Sequence, residues 1–159
     1  MMRGGPDWLL TIRRYLLAMV LGNLAWEVLL LPLYSLWQSG TTREIAFAVL
    51  HCTLGDVAIA AGILAISLAL TGSGSWPAQR FGAVLAGCVI LGAGYTIYSE
   101  YLNVVVRRAW SYSAFMPIVP GLGTGLGPLM QWLVLPSLAL VWAHRNDTVP
   151  IAIGNPAID

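Results

Sequence analysis

The chain has 159 residues, of which 58% are hydrophobic and 9% are charged, and its formal net charge is +1. Soluble domains carry about 25% charged residues, so this composition excludes a soluble surface over most of the fold and indicates a lipid bilayer as the main partner. All eight basic residues are Arg and they form no dense cluster, which excludes a nucleic-acid-binding surface.

The first apolar run predicts a membrane-spanning helix over residues 15–37, because about 20 apolar residues suffice to cross a bilayer. Glu27 lies near its middle, with Trp26 beside it and Asn23 one helical turn earlier on the same face. Pro32 follows and has no amide hydrogen, so we expect a kink one turn beyond Glu27. That kink is either an ordinary bend or a functional hinge.

The second apolar run predicts a helix over residues 45–70 and contains a His and an Asp. Ionisable residues are costly inside a bilayer and therefore mark a candidate functional site. His51 and Asp56 are five residues apart, about 140° around a helix, so their side chains would flank a cavity. Cys52 lies one turn before Asp56 on the same face, and Gly55 leaves room for a ligand or another helix.

The third apolar run predicts a helix over residues 81–106 that ends in a polar stripe. This stripe consists of Thr96, Glu100, Asn103 and Arg107. Their spacing of four, three and four residues places all of them on one helical face. The stripe therefore brings a third carboxyl group towards the same end of the bundle as the polar residues of the second helix.

The segment after the third helix is aromatic and then glycine-rich. Residues 107–120 predict an amphipathic lid on the membrane face, in which Trp110 and Tyr112 suit interfacial anchors as well as substrate contacts. Residues 121–127 follow no strand, which excludes a dinucleotide-binding loop. They either hold an anionic group at the start of the next helix or form a re-entrant turn. The fourth helix is predicted over residues 129–142.

Together these runs predict an all-α integral membrane bundle of four transmembrane helices. It forms a single domain over residues 1–145, followed by a C-terminal tail, residues 146–159, that we expect to be disordered. The positive-inside rule places both termini in the cytoplasm, because five Arg then lie inside and three outside. We expect such a protein in a bacterial inner membrane.

The ionisable residues have matched depths. With a helical rise of about 1.5 Å per residue, His51 and Glu100 lie roughly 9–10 Å below the outer ends of their helices. Glu27 and Asp56 lie roughly 15–18 Å from the same face. Acidic and imidazole groups from three helices therefore converge in the outer half of the bundle.

This cluster predicts binding of a small hydrophobic molecule, such as an isoprenoid, a sterol or a quinone, with acid–base conversion of the isomerase or cyclase type. The residues expected to act on it are Glu27, His51, Asp56 and Glu100. Those expected to contact it are Asn23, Trp26, Cys52, Thr96, Asn103, Arg107, Trp110 and Tyr112. We expect no cofactor. We also expect no metal, since the sequence lacks the Glu-x-x-His pairs of di-iron bundles and its two His residues lie near opposite faces.

Three alternatives remain open. The cluster could serve a proton-coupled carrier, which would act as a homodimer because four helices leave little room for a pathway. The chain could be a non-catalytic subunit of a larger membrane complex. The polar groups could also do no more than fix helix register by pairing with one another.

Overall fold

The computed structural model describes residues 8–145, which form an all-α bundle. The elements are α1 (Trp8–Leu30), a 3-10 turn (Leu31–Leu33), α2 (Leu36–Ser39), α3 (Thr42–Thr71), α4 (Phe81–Glu100), a π-helical turn (Tyr101–Val106) and α5 (Leu126–Arg145). Within these residues there is no strand, only two isolated β-bridges. The predicted C-terminal tail, residues 146–159, lies outside the described residues.

The four predicted spans are confirmed. Four helical stretches are long and apolar enough to cross a membrane: Trp8–Leu33, Thr42–Thr71, Phe81–Val106 and Leu126–Arg145. Long aliphatic and aromatic side chains are exposed along them, including Leu29, Leu70 and Ile90. A surface of this kind suits a lipid bilayer rather than water.

The ends of two spans differ from the predicted ones. The first helix begins at Trp8, and it ends at Leu30 instead of kinking and continuing to residue 37. Pro32 lies in the 3-10 turn that follows, where its missing amide needs no helical partner. The last helix begins at Leu126, with Pro128 in its first turn, a position that tolerates proline.

A capping box begins α3. The Thr41 amide donates to Glu44 Oε2 at 2.8 Å, and the Glu44 amide donates to Thr41 Oγ1 at 3.3 Å. Two of the unpaired groups at a helix N-terminus are satisfied in this way. The box fixes where α3 starts, and with it the register of the polar residues further along.

The helices form a ring in which α1 and α4 each pack against both α3 and α5. On α1 the buried stripe is Thr11, Tyr15, Met19 and Asn23, at a spacing of four residues. The core between the helices includes Leu64 on α3, Cys88 on α4 and Leu140 on α5. One end of the bundle is formed by the C-terminus of α1 and the N-terminus of α5, and we call it the cavity end.

Gly92 on α4 makes room for the Trp132 ring of α5. A Cβ at this position would lie 2.5 Å from the Cε3 atom of that ring. We therefore expect Gly92→Ala to separate α4 from α5 and to lower the free energy of unfolding by about 1–3 kcal/mol. Thermal denaturation in detergent measures this effect. Gly94→Ala is the matched control, because its Cβ would meet no atom within 4 Å, and an unchanged melting temperature for both variants would contradict the packing.

Candidate functional site

A cavity of about 440 Å³ lies between the four long helices at the cavity end of the bundle. All four of these helices contribute to its lining, as do Tyr34 and the segment that follows α4. Three carboxyl groups face it, from Glu27 on α1, Asp56 on α3 and Glu100 on α4. The prediction that acidic side chains from three spans meet at one place therefore agrees with the geometry.

The deepest polar contacts join α1, α3 and α5. Gln131 Nε2 donates to Asn23 Oδ1 and to Asp56 Oδ2, each at 2.8 Å. Asn23 Nδ2 in turn donates to the Met19 carbonyl at 2.7 Å. Glu27 lies within hydrogen-bonding reach of both Gln131 and Asp56. Two carboxyl groups that lie this close can hold one proton between them, with the protonated group donating to the other.

The third carboxyl group, that of Glu100, is hydrogen-bonded to a residue of the segment that follows α4. The Tyr112 hydroxyl donates to Glu100 Oε2 and accepts a hydrogen bond from the Gly125 amide at 2.9 Å. Glu100 is buried and lies at the junction between α4 and the π-helical turn. Such turns are frequent at functional sites, because they redirect the side chains that follow.

Residues 107–125 cover the cavity end by docking onto the segment that follows α1. The Ser35 amide donates to the Ser111 carbonyl at 3.0 Å, and the Ser113 amide donates to the Leu33 carbonyl at 2.9 Å. Within this segment Gly121 and Gly123 have φ angles of 80° and 69°, which side chains other than glycine rarely adopt. The glycines here form the turn that leads the chain into α5. The re-entrant path proposed for them stays a prediction.

Tyr34 lies between α1 and α2, and its ring packs against Tyr112 with a centroid distance of 5.7 Å. Burial, together with the nearby carboxyl groups, raises the pKa of Tyr34 well above its usual range. Its hydroxyl therefore stays protonated and faces the cavity as a neutral donor.

Most of the predicted site residues line the cavity. These are Glu27, His51, Cys52, Asp56, Thr96, Glu100, Asn103 and Trp110. Asn23 and Tyr112 do not line the cavity themselves. Asn23 is hydrogen-bonded to Gln131 and Tyr112 to Glu100, and both of these partners line it. Trp26 Nε1 donates to the Gly127 carbonyl at 3.3 Å and so ties α1 to the start of α5. Arg107 is exposed and does not line the cavity, so its contact with a substrate stays a prediction.

His51 lines the cavity with an exposed side chain, whereas Glu100 is buried. The His51 imidazole stacks on Phe47, with a centroid distance of 5.5 Å. No salt bridge or hydrogen bond joins it to another residue in the described part of the chain. Tyr95 on α4 also lines the cavity and is exposed, so the cavity opens at the surface of the bundle between α3 and α4.

Two polar groups at the cavity wall have no hydrogen-bond partner among residues 8–145: the Thr96 hydroxyl and the Trp110 indole N–H. Thr96 is only 4% exposed. Trp110 lies close to Glu100, but without hydrogen-bond geometry. Buried polar groups normally find partners, so these two are available to a bound molecule.

Sequence reasoning missed Gln131, Trp132 and Tyr34. The predicted site includes no residue of the fourth helix, although Gln131 on that helix supplies the amide that joins Asn23 to Asp56. A carboxamide in the middle of an apolar run carries the same signal as Asn23 on the first helix, so it could have been found. Tyr34 and Trp132 carry no such signal, because aromatic residues are common throughout membrane helices.

We expect Tyr112→Phe to loosen the segment that covers the cavity. The change removes the donor to Glu100 and the acceptor for the Gly125 amide, and leaving such partners unpaired costs about 1–3 kcal/mol. Hydrogen exchange at Gly125 should become faster and the melting temperature should fall. Tyr101→Phe is the control, since Tyr101 is exposed. Equal exchange in both variants would contradict the role given to Tyr112.

Among residues 8–145 no three His, Cys, Asp or Glu side chains lie close enough together to hold a metal ion. No known protein family, curated protein or solved structure matches this chain. The function is therefore argued from the geometry and chemistry of the cavity.

Proposed function

We propose that this protein binds a small lipid-soluble molecule in the cavity, with the polar end of the molecule on the carboxyl groups. The observation that carries the proposal is a space of about 440 Å³ with carboxyl groups from three helices at its wall. Ligand-binding cavities usually measure roughly 300–1,000 Å³ and combine apolar walls with a few convergent polar groups. An isoprenoid, a sterol or a quinone is a molecule of suitable character.

The route into the cavity is from the bilayer. Phe47, His51 and Tyr95 line the cavity and are also exposed, so a molecule dissolved in lipid reaches the carboxyl groups between α3 and α4. Residues 107–125 meanwhile close the cavity end towards water through their contacts with the segment that follows α1. A substrate entering in this way would leave most of its apolar body in a lipid-like environment.

The chemistry that the site favours is proton transfer. Glu27 and Asp56 can hold one proton between them, and Gln131 holds Asp56 in place through one carboxyl oxygen. Such a pair can add a proton to one carbon of a double bond and remove a proton from the carbon attached to its other end, which moves the double bond by one position with no net gain or loss of protons. This is acid–base chemistry of the isomerase or cyclase type.

We further propose that the protein resides in a bacterial inner membrane with both termini in the cytoplasm. Arg13, Arg14, Arg80 and Arg145 then lie on the cytoplasmic side, in agreement with the positive-inside rule. In this orientation the cavity end faces the outer side of the membrane.

The test is mass spectrometry of small molecules extracted from protein purified in a maltoside detergent. The wild type should carry one lipid-soluble compound, and Asp56→Asn and Glu27→Gln should each carry at least about tenfold less. Glu44→Gln is the control, because Glu44 is an exposed acid at the start of α3. If wild type and both cavity variants carry no compound, or carry the same amount of it, the proposal is wrong. Proton flux in liposomes abolished by Asp56→Asn would indicate the dimeric carrier instead.

A further inference from the structure

We infer that the molecule held in the cavity is a hydrophobic organic cation, such as a protonated or quaternary amine with an apolar body. This inference rests on the proposed function and narrows its ligand. It follows from the balance of charge at the cavity wall, from the aromatic rings there and from one buried hydroxyl without a partner.

The charge balance of the lining is negative. Among residues 8–145, three carboxyl groups line the cavity and no Arg or Lys does. His51, the one imidazole of the lining, has an exposed side chain and stacks on Phe47. A positive charge on a bound molecule would therefore have no basic side chain opposing it.

The hydrogen bonds show that two of these carboxyl groups act as acceptors. Asp56 Oδ2 accepts from the Gln131 amide. Glu100 Oε2 accepts from the Tyr112 hydroxyl, whose own oxygen is already occupied by the Gly125 amide. Fixed donors of this kind favour the ionised form of a carboxyl group. Negative charge in a largely apolar cavity is costly unless a positive group compensates it.

A small metal ion does not fit this arrangement. Within residues 8–145 the acidic side chains do not form a group of three that could share one ion. The carboxyl pair on α1 and α3 and the carboxyl on α4 instead lie at different parts of the wall of one cavity. That spacing suits a charge spread over a larger organic group.

The walls supply the second kind of contact that an organic cation uses. The rings of Tyr34, Trp110 and Trp132 line the cavity. Aromatic faces attract ammonium groups, and the attraction is stronger where water is excluded. Their presence beside carboxyl groups distinguishes this cavity from a purely apolar pocket for a neutral lipid.

The Thr96 hydroxyl is a further observation, independent of the carboxyl groups and the rings, that points to a bound molecule. Thr96 is 4% exposed, it lines the cavity, and its hydroxyl has no hydrogen-bond partner in the described part of the chain. Its oxygen lone pairs are therefore free to contact an ammonium N–H or a polarised N-methyl group. A buried oxygen without a donor is costly, and a ligand of this class would supply the missing contact.

The test compares octyltrimethylammonium with its neutral carbon isostere, 2,2-dimethyldecane, by native mass spectrometry and tryptophan fluorescence in a maltoside detergent. We expect the cation to bind at least about tenfold more tightly than the isostere. Glu100→Gln, which can still accept from Tyr112, should lower the affinity for the cation by about tenfold and leave that for the isostere unchanged. Glu44→Gln removes an exposed carboxylate outside the cavity and should change neither, while its capping box is kept.

The outcomes separate this inference from the proposed function. If the isostere binds as tightly as the cation, or a neutral lipid co-purifies and the cation does not displace it, the cavity binds ligands but the inference is wrong. If neither compound binds and none co-purifies, both are wrong. If Glu44→Gln weakens the cation as much as Glu100→Gln does, the attraction comes from the general charge of the protein, and the inference is again wrong.

Discussion

Gly55→Leu should abolish ligand binding without unfolding the protein. Gly55 lines the cavity, and a Cβ built there meets no atom within 4 Å, so a leucine side chain would extend into the space that the ligand needs. We expect the amount of co-purified molecule to fall by at least about tenfold. The melting temperature should not fall, because replacing a glycine inside a helix by leucine favours the helix by roughly 0.5–1 kcal/mol.

The matched control is Gly62→Leu on the same helix. Gly62 is also exposed and its Cβ would also meet no atom within 4 Å, but it does not line the cavity. The two variants make the same chemical change and gain the same helix propensity. Equal loss of ligand in both, or full retention in Gly55→Leu, would show that the cavity is not where the molecule binds.

Gln131→Leu should lower the stability of the bundle by removing two hydrogen bonds between helices at the cavity. The side chain is 4% exposed, and it donates to Asn23 and to Asp56 from another helix. Leucine leaves the buried Asn23 oxygen and the partly buried Asp56 oxygen without this donor, at a cost of about 1–3 kcal/mol. The measurement is the unfolding free energy in detergent. Met130→Leu is the control. Met130 is the neighbouring residue, its side chain is partly exposed, and the substitution replaces one apolar side chain by another.

A double-mutant cycle attributes that loss to the hydrogen bond itself. In Asp56→Leu combined with Gln131→Leu both partners are apolar, so the loss should be smaller than the sum of the two single losses by about 1 kcal/mol. Strict additivity would mean that the amide and the carboxyl do not interact. The account of α3 and α5 held together at the cavity would then be wrong.

The main features of the fold could be predicted because they depend on composition and length. Apolar runs separated by short polar connections predict membrane helices with few alternatives, since an unpaired backbone is not tolerated in lipid. Glu27, Asp56 and Glu100 could be placed together because helical rise alone fixes depth along parallel axes. These inferences need no knowledge of side-chain contacts.

The parts that could not be predicted depend on contacts between distant segments. Residues 107–125 look like a surface loop in sequence, yet Tyr112 from this loop holds Glu100. The helical rise predicts equal depths for His51 and Glu100 but not the stack of His51 on Phe47, because packing and not rise sets the rotation about the helix axis. Gln131 stands out in its apolar run, but its two partners could not be predicted, because they lie on two other helices.

The convergence of carboxyl groups from separate helices can be tested by cross-linking. In a Cys52→Ser/Cys88→Ser background, Glu27→Cys and Asp56→Cys are combined and treated with a short bis-maleimide. Trypsin then cuts at Arg43, the basic residue between the two sites in the sequence. We expect the two fragments to stay joined in the double variant and to separate when Gly62→Cys replaces Asp56→Cys. If both thiols react with a simple maleimide but the fragments separate in either case, Glu27 and Asp56 do not share a cavity.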